Sequence, residues 1–324
     1  MSFTNEKASN SSNEVDLNNT DSLKTYKRLV MMAGFASVST AVLFIVLKLV
    51  VWLISSSTVI FASLTDSIFD LLASLVNLLA LKFSLAPPDK EHRYGHFKSQ
   101  ALASLAQAAF IGGSSVLLII HGIERCITPQ PLEHMDYALI VSVVSIVFTI
   151  LLVLLQTYVY KRTHSEAIGA DRLHYISDIS LNTGVIIALV LSTYGYDWAD
   201  GLFASLIGVY IMYGAYMIGM NAIQTLLDKS LEPDLLKKMI KIICSVDGVK
   251  SIHDLKTHRA GPMIFVQAHL VMDGDMSLSH AHDIVNEVEK LVETEFVDVE
   301  CTFHMEPVQS SVTDTVQFED NFHS

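Results

Sequence analysis

The sequence predicts an α-helical membrane protein: a six-helix transmembrane bundle followed by a small α+β cytoplasmic domain. Three observations predict it. Of 324 residues, 51% are hydrophobic and 17% charged, whereas a soluble chain carries about 25% charged residues; mean hydropathy is +0.43. Six apolar runs approach or exceed the ~20 residues that a membrane span needs. After Leu227 the composition turns to that of a soluble domain, with mixed helical and strand periodicity.

Taken in order, Met1–Ser22 is polar and Asn/Ser-rich, so residues 1–25 read as a disordered leader without a signal peptide. Spans are expected at Leu29–Ser55, Thr58–Leu85, Ser99–Ile123, Tyr137–Val159, His174–Tyr194 and Ala199–Leu227, within a transmembrane domain of residues 26–228. The joints at 55–58 and 194–199 are short, whereas Ala86–Lys98 and Tyr160–Leu173 are longer and polar. Lys24, Lys27 and Arg28 precede the first span. Lys82, Lys90, Arg93 and Lys98 surround the second joint, and Lys161, Arg162 and Arg172 the fourth. The opposite side offers little beyond Arg125, so both termini are expected in the cytoplasm. Residues 229–308 then give a helix at Pro233–Cys244, strands at Val249–Thr257 and Met263–Met272, a helix at Ser279–Glu295 and a strand at Val297–His304. That αββαβ order fits helices covering one face of a sheet. Residues 309–324 are polar and acidic, and read as a disordered tail.

Composition also excludes. A formal charge of −13 argues against nucleic acid. Cys126, Cys244 and Cys301 have no CxxC spacing, which points to neither a disulfide framework nor a thiolate metal site.

Three constellations stand out. Asp66 and Asp70 lie mid-span, four apart, on one helical face; His174 and Asp178 repeat the spacing on another span. A mid-membrane acid costs roughly 2.5–3.5 kcal/mol even on the insertion scale. Three carboxylates and an imidazole form a nitrogen/oxygen ligand set for a divalent metal, suited to Zn²⁺ and acceptable to Cd²⁺ or Fe²⁺. The bland reading is polar residues hydrogen-bonding between helices. Binding would require deprotonated ligands, so protons would leave as metal enters. Asp89, His92 and His96 on the polar second joint form a weaker cluster, which ordinary surface histidines and a helix-capping Asp also explain. In the soluble domain, His253, His269, His282 and His304 join Glu306. Strand alternation turns His269 and His304 away from the apolar face, and helical periodicity does the same for His282. They are either a shared metal site or separate surface histidines.

The segments SLTDSIFD, DKEHRYGHFKS, ADRLHYISD, LLDKSL, IHDLKTHRAGP, FVQAHL and FHMEP together resemble the cation diffusion facilitator family, over roughly Tyr26 to Val308. The resemblance implies a homodimeric, proton-coupled exporter of divalent metal in a bacterial inner membrane, working by alternating access. Its cytoplasmic domain would be ferredoxin- or metallochaperone-like. Zn²⁺ would be substrate and regulatory ligand, among Zn²⁺, Fe²⁺ and Cd²⁺, with no organic cofactor. It further implies that Asp66, Asp70, His174 and Asp178 are the transport site and that Asp89, His92 and His96 are a loop site. His253, His269, His282, His304 and Glu306 would be a binuclear site at the interface between cytoplasmic domains. Lys98 and Asp228 would form a charge interlock near the dimer contact. The chain departs from the family pattern at Glu306, where Asp is usual, at Met305, where Gln is usual, and at Phe97, where Gly is common. An enzyme is disfavoured: the sequence has no HExxH and no evident nucleophile beside a base. A closed four-ligand site also disfavours a passive channel, while a membrane metal sensor remains a separate reading.

Overall fold

The computed structural model describes residues 20–55, 58–128, 135–194, 198–296 and 298–308. Lys24–Leu226 form one compact unit, and the chain from Leu227 onward belongs to another.

The first unit holds six helices: α1 (Thr20–Ser55), α2 (Thr58–Ser84), α3 (Ser99–Ile127), α4 (Met135–Thr163), α5 (Glu166–Thr193) and α6 (Ala199–Leu226). Among the described residues, five of them contain stretches long and apolar enough to cross a membrane. α5 matches α6 in length at 28 residues, and its first half carries Glu166, Asp171, Arg172, His174 and Asp178. Large apolar side chains such as Phe35, Leu53, Val76, Leu102, Leu151 and Leu206 point outward from this unit, as lipid-facing positions do in a hydrocarbon solvent.

Two helix starts differ from the hydropathy reading. The first helix begins at Thr20, so the end of the stretch expected as a leader is helical. The fifth begins at Glu166 rather than His174, and the polar joint expected at Tyr160–Leu173 shrinks to His164 and Ser165. Hydropathy marks where side chains are apolar, but helical backbone bonds run on through polar residues that find partners. His164, with φ 48°, takes the left-handed conformation at the reversal, and its N–H still donates to the Tyr160 carbonyl at 2.8 Å.

Helices α3 and α6 cross closely through glycines. A Cβ on Gly201 would lie 2.4 Å from the Gly122 carbonyl oxygen, and one on Gly122 would lie 2.4 Å from Ser205 Oγ. Membrane helices associate through such close packing, because lipid removes the hydrophobic drive between them.

The second unit has α7 (Pro233–Ile243), β1 (Ser251–Ala260), β2 (Met263–Met272), α8 (Leu278–Glu295) and β3 (Val299–Pro307), the expected αββαβ order. The sheet order is β1-β2-β3. β1 and β2 form an antiparallel hairpin turning at Gly261, whose φ of 57° favours glycine. β3 pairs with β2 in parallel, which requires a crossover, here α8. Met239 and Ile243 of α7, Val266 and Leu270 of β2, and Val288 and Val292 of α8 are buried together. Both helices thus cover one sheet face and leave the other open. β1 and β3 run to Ala260 and Pro307, beyond the expected Thr257 and His304, because ladder pairing continues past the apolar alternation. Val297 and residues 309–324 lie outside the described residues.

Candidate metal centres

In the membrane unit, the four-residue spacings on α2 and α5 set carboxylates and imidazole on facing sides. His174 Nε2 lies 3.1 Å from Asp70 Oδ1 and 3.9 Å from Asp178 Oδ2. One ligand atom from each of Asp70, His174 and Asp178 falls within 4.8 Å of the others. Asp66 is outside that group, but it lines the same cavity of about 540 Å³ together with Asp70, His174 and Asp178. The structure therefore gathers three of the quartet tightly and places the fourth on the same cavity wall. One imidazole and up to three carboxylates supply the borderline donors that suit a divalent transition metal.

Two ionisable residues in this unit were not singled out from the sequence. Asp171, one turn before His174, is fully buried. Ser37 Oγ lies 2.5 Å from Asp171 Oδ2, and Gln156 Nε2 donates to the same oxygen at 2.7 Å. The Tyr175 hydroxyl donates to the Ser37 carbonyl at 3.3 Å and lies 3.1 Å from Ser74 Oγ. This network joins α1, α2, α4 and α5 beside His174. The second residue is Lys48 of α1, whose Nζ donates to Ser67 Oγ at 2.7 Å and to the Ser63 carbonyl at 3.1 Å. For Lys48 the signal available in the sequence was a charged residue inside an apolar span, whereas Asp171 falls in the stretch expected as a polar joint.

On the joint after α2, Asp89 Oδ1 accepts backbone N–H bonds from His92 at 2.6 Å and Glu91 at 2.8 Å. Its oxygens lie 3.3 Å from His92 Nδ1 and 3.3 Å from His96 Nε2. The His92 backbone bond, followed by that from Glu91, holds the Asp89 carboxyl below the usual carboxylate range. His96 is buried with its ring edge-on to Phe83, and Gly95 supplies the turn before it with φ 80°. All three predicted loop residues come together.

In the cytoplasmic unit, strand register builds the third cluster. His253 pairs with His269 across the β1–β2 ladder, and His269 with His304 across β2–β3. The imidazoles form a row on the open sheet face, with centroids 5.0 Å and 4.9 Å apart. Glu306 reaches His269 Nδ1 at 2.8 Å, His253 Nε2 at 3.0 Å and His304 Nε2 at 3.8 Å. A register break follows His253, where Asp254 adopts φ 50° and its carboxylate lies 3.8 Å from His269 Nε2. His282 is exposed on α8, the helix that covers the opposite sheet face, and it is not in this group. Lys98 belongs to the first unit and Asp228 to the second; Asp228 Oδ1 lies 3.6 Å from His258 Nε2.

Comparison with known proteins finds relatives over nearly the whole chain. Residues 34–227 match the cation efflux transmembrane domain, and residues 231–308 match the cation efflux protein cytoplasmic domain. A cation-efflux pump FieF from Shewanella oneidensis is 47% identical over 89% of this chain and 97% of its own. Another from Escherichia fergusonii is 40% identical over 91% and 99%. A solved structure of a putative zinc transporter, CzrB in its zinc form, is 32% identical over 25% of this chain and 93% of its own, with a TM-score of 0.24. The chain is a multi-pass membrane protein and belongs to the cation efflux, or cation diffusion facilitator, family.

Proposed function

We propose that this protein exports divalent transition-metal ions from the cytoplasm across the inner membrane in exchange for protons. Zn²⁺ is the first choice of cargo, with Fe²⁺ and Cd²⁺ as further members of the same donor class. The observation that carries the reading is the grouping of Asp70, His174 and Asp178, with Asp66 on the same cavity wall, inside the apolar helical unit. Buried carboxylates in a membrane are costly unless a cation or proton neutralises them. Metal and protons therefore compete for the same atoms, and that competition couples their flows.

In the proposed cycle, metal binds the deprotonated quartet from the cytoplasmic side, the bundle reopens to the other side, and protons displace the ion. The working form is a homodimer with both termini cytoplasmic. The loop cluster of Asp89, His92 and His96 and the cytoplasmic cluster of His253, His269, His304 and Glu306 are additional metal sites in this reading. His282 would join the latter, and Lys98 with Asp228 would brace the dimer contact. Zn²⁺ at the cytoplasmic cluster would be a regulatory ligand.

The test is Zn²⁺ flux in proteoliposomes under an imposed pH gradient. Gradient-driven uptake by the parent, lost in Asp70→Ala, is the expected result. Equal flux in both proteins would remove the quartet from the mechanism.

A further inference from the structure

A lysine inside an apolar helix is expensive unless its ammonium has partners, and Lys48 lies within the apolar stretch Leu23–Ile54 of α1. Its partners are on α2, the helix of Asp66 and Asp70. Nζ donates to Ser67 Oγ at 2.7 Å and to the Ser63 carbonyl at 3.1 Å. Ser67 is buried and directly follows Asp66. These two bonds hold the cation against the turn of α2 that carries Asp66 and, one turn after Ser67, Asp70. We infer that Lys48 is a positioning residue, a fixed counter-charge that tunes how tightly the intramembrane site grips its metal.

The charges give the reason. Three ionised carboxylates carry three negative charges; a divalent ion returns two and Lys48 the third, with His174 neutral. Counted over the quartet and Lys48, with Asp171 held uncharged among Ser37 and Gln156, the loaded site is then electrically neutral, the form that crosses a low-dielectric bundle at least cost. Without Lys48 the same loaded site holds one net negative charge. A fixed cation also repels the metal, so the site binds less tightly than three carboxylates alone would. That weaker grip favours release. Because Lys48 is anchored on serine and carbonyl oxygens, it shapes the field without occupying a coordination position.

This inference rests on the transport reading of the quartet, and the experiment separates the two. Zn²⁺ affinity is measured by titration of the full chain in lipid nanodiscs, alongside Zn²⁺ flux in proteoliposomes. The proteins compared are the parent, Lys48→Met, Lys48→Gln, Lys48→Arg and Asp70→Ala. To isolate the intramembrane site, all carry His92→Ala and His269→Ala. A unit charge roughly 10 Å from a divalent ion, at an effective dielectric near 20, contributes more than a hundredfold to affinity, and part of that is offset by solvent and proton rearrangement when the charge is removed. Lys48→Met and Lys48→Gln are expected to bind Zn²⁺ at least tenfold more tightly while turning over more slowly, and Lys48→Arg to stay near the parent. A merely structural lysine would give weaker binding in both neutral variants. Unchanged or weakened binding in both overturns the inference while leaving the quartet intact. Parent binding that Asp70→Ala does not reduce overturns the quartet reading and this inference with it.

Discussion

Glu306 shows how one carboxylate can organise a centre. It faces His253 and His269 at hydrogen-bond distance, with His304 slightly further away. Its carboxyl is held below the usual carboxylate range, first by the hydrogen bond from His253 and then by that from His269, against a smaller opposing effect of burial. The Lys256 ammonium, at 2.7 Å, does the same for Asp254. A folded-state value below the unfolded one contributes stability above the ordinary carboxylate pKa, about 4.3 for Glu, and loses it as pH falls through the lowered value. The β3 amides should therefore keep their hydrogen-exchange protection down to about pH 5 and lose it in more acid solution. Glu306→Gln should remove this acid-side dependence. A variant that retains the parent's acid profile would show that Glu306 does not carry it. At the same scale, the Glu306 side chain is long enough to bring its carboxylate within 3.8 Å of all three imidazoles.

Among the elements, the α3–α6 crossing is the most exacting contact. Gly201 has the Gly122 carbonyl and the Cys126 amide nitrogen within 2.5 Å of where a Cβ would stand, and backbone cannot give way as a flexible side chain can. Overpacking a close contact typically costs about 1–3 kcal/mol. Gly201→Val should lie at or above the top of that range, read as a lower thermal unfolding midpoint of the detergent-solubilised protein; an unchanged midpoint would mean the helices can separate freely. Much of the element order was legible in the sequence. The apolar runs, the αββαβ order and the paired spacings Asp66/Asp70 and His174/Asp178 all carry strong periodic signals. The start of α5 was not legible, because Asp171 is stabilised by Ser37 and Gln156, which are distant in sequence and reach it only after folding. Lys48 escaped for a similar reason: its meaning depends on Ser63 and Ser67 of the neighbouring helix. His282 was grouped with the other histidines by its polar helix face, but strand register, which gathers the rest, does not act on α8.

Across the whole molecule, two units of different solvent preference each carry candidate metal ligands. The intramembrane group offers two carboxylates with one histidine, and the cytoplasmic group two histidines with one carboxylate. Imidazole-rich sites hold zinc strongly and carboxylate-rich ones more weakly. Titrating Zn²⁺ into the full chain should therefore protect the β1–β3 amides from hydrogen exchange at lower metal concentration than it protects α2 and α5; the reverse order would contradict this ranking. The strand row has a further consequence. His253 and Glu306 are 53 positions apart, and the parallel pairing that brings them together exists only once α8 has crossed over and β3 has docked. A chain still emerging during synthesis has no such site, and neither does a partly opened one. An ion bound there would act as a clasp on the finished sheet, stabilising it by about 2.7 kcal/mol at a free concentration 100 times its dissociation constant. Abundant metal would then lengthen the life of the folded domain against proteolysis, and scarcity would shorten it.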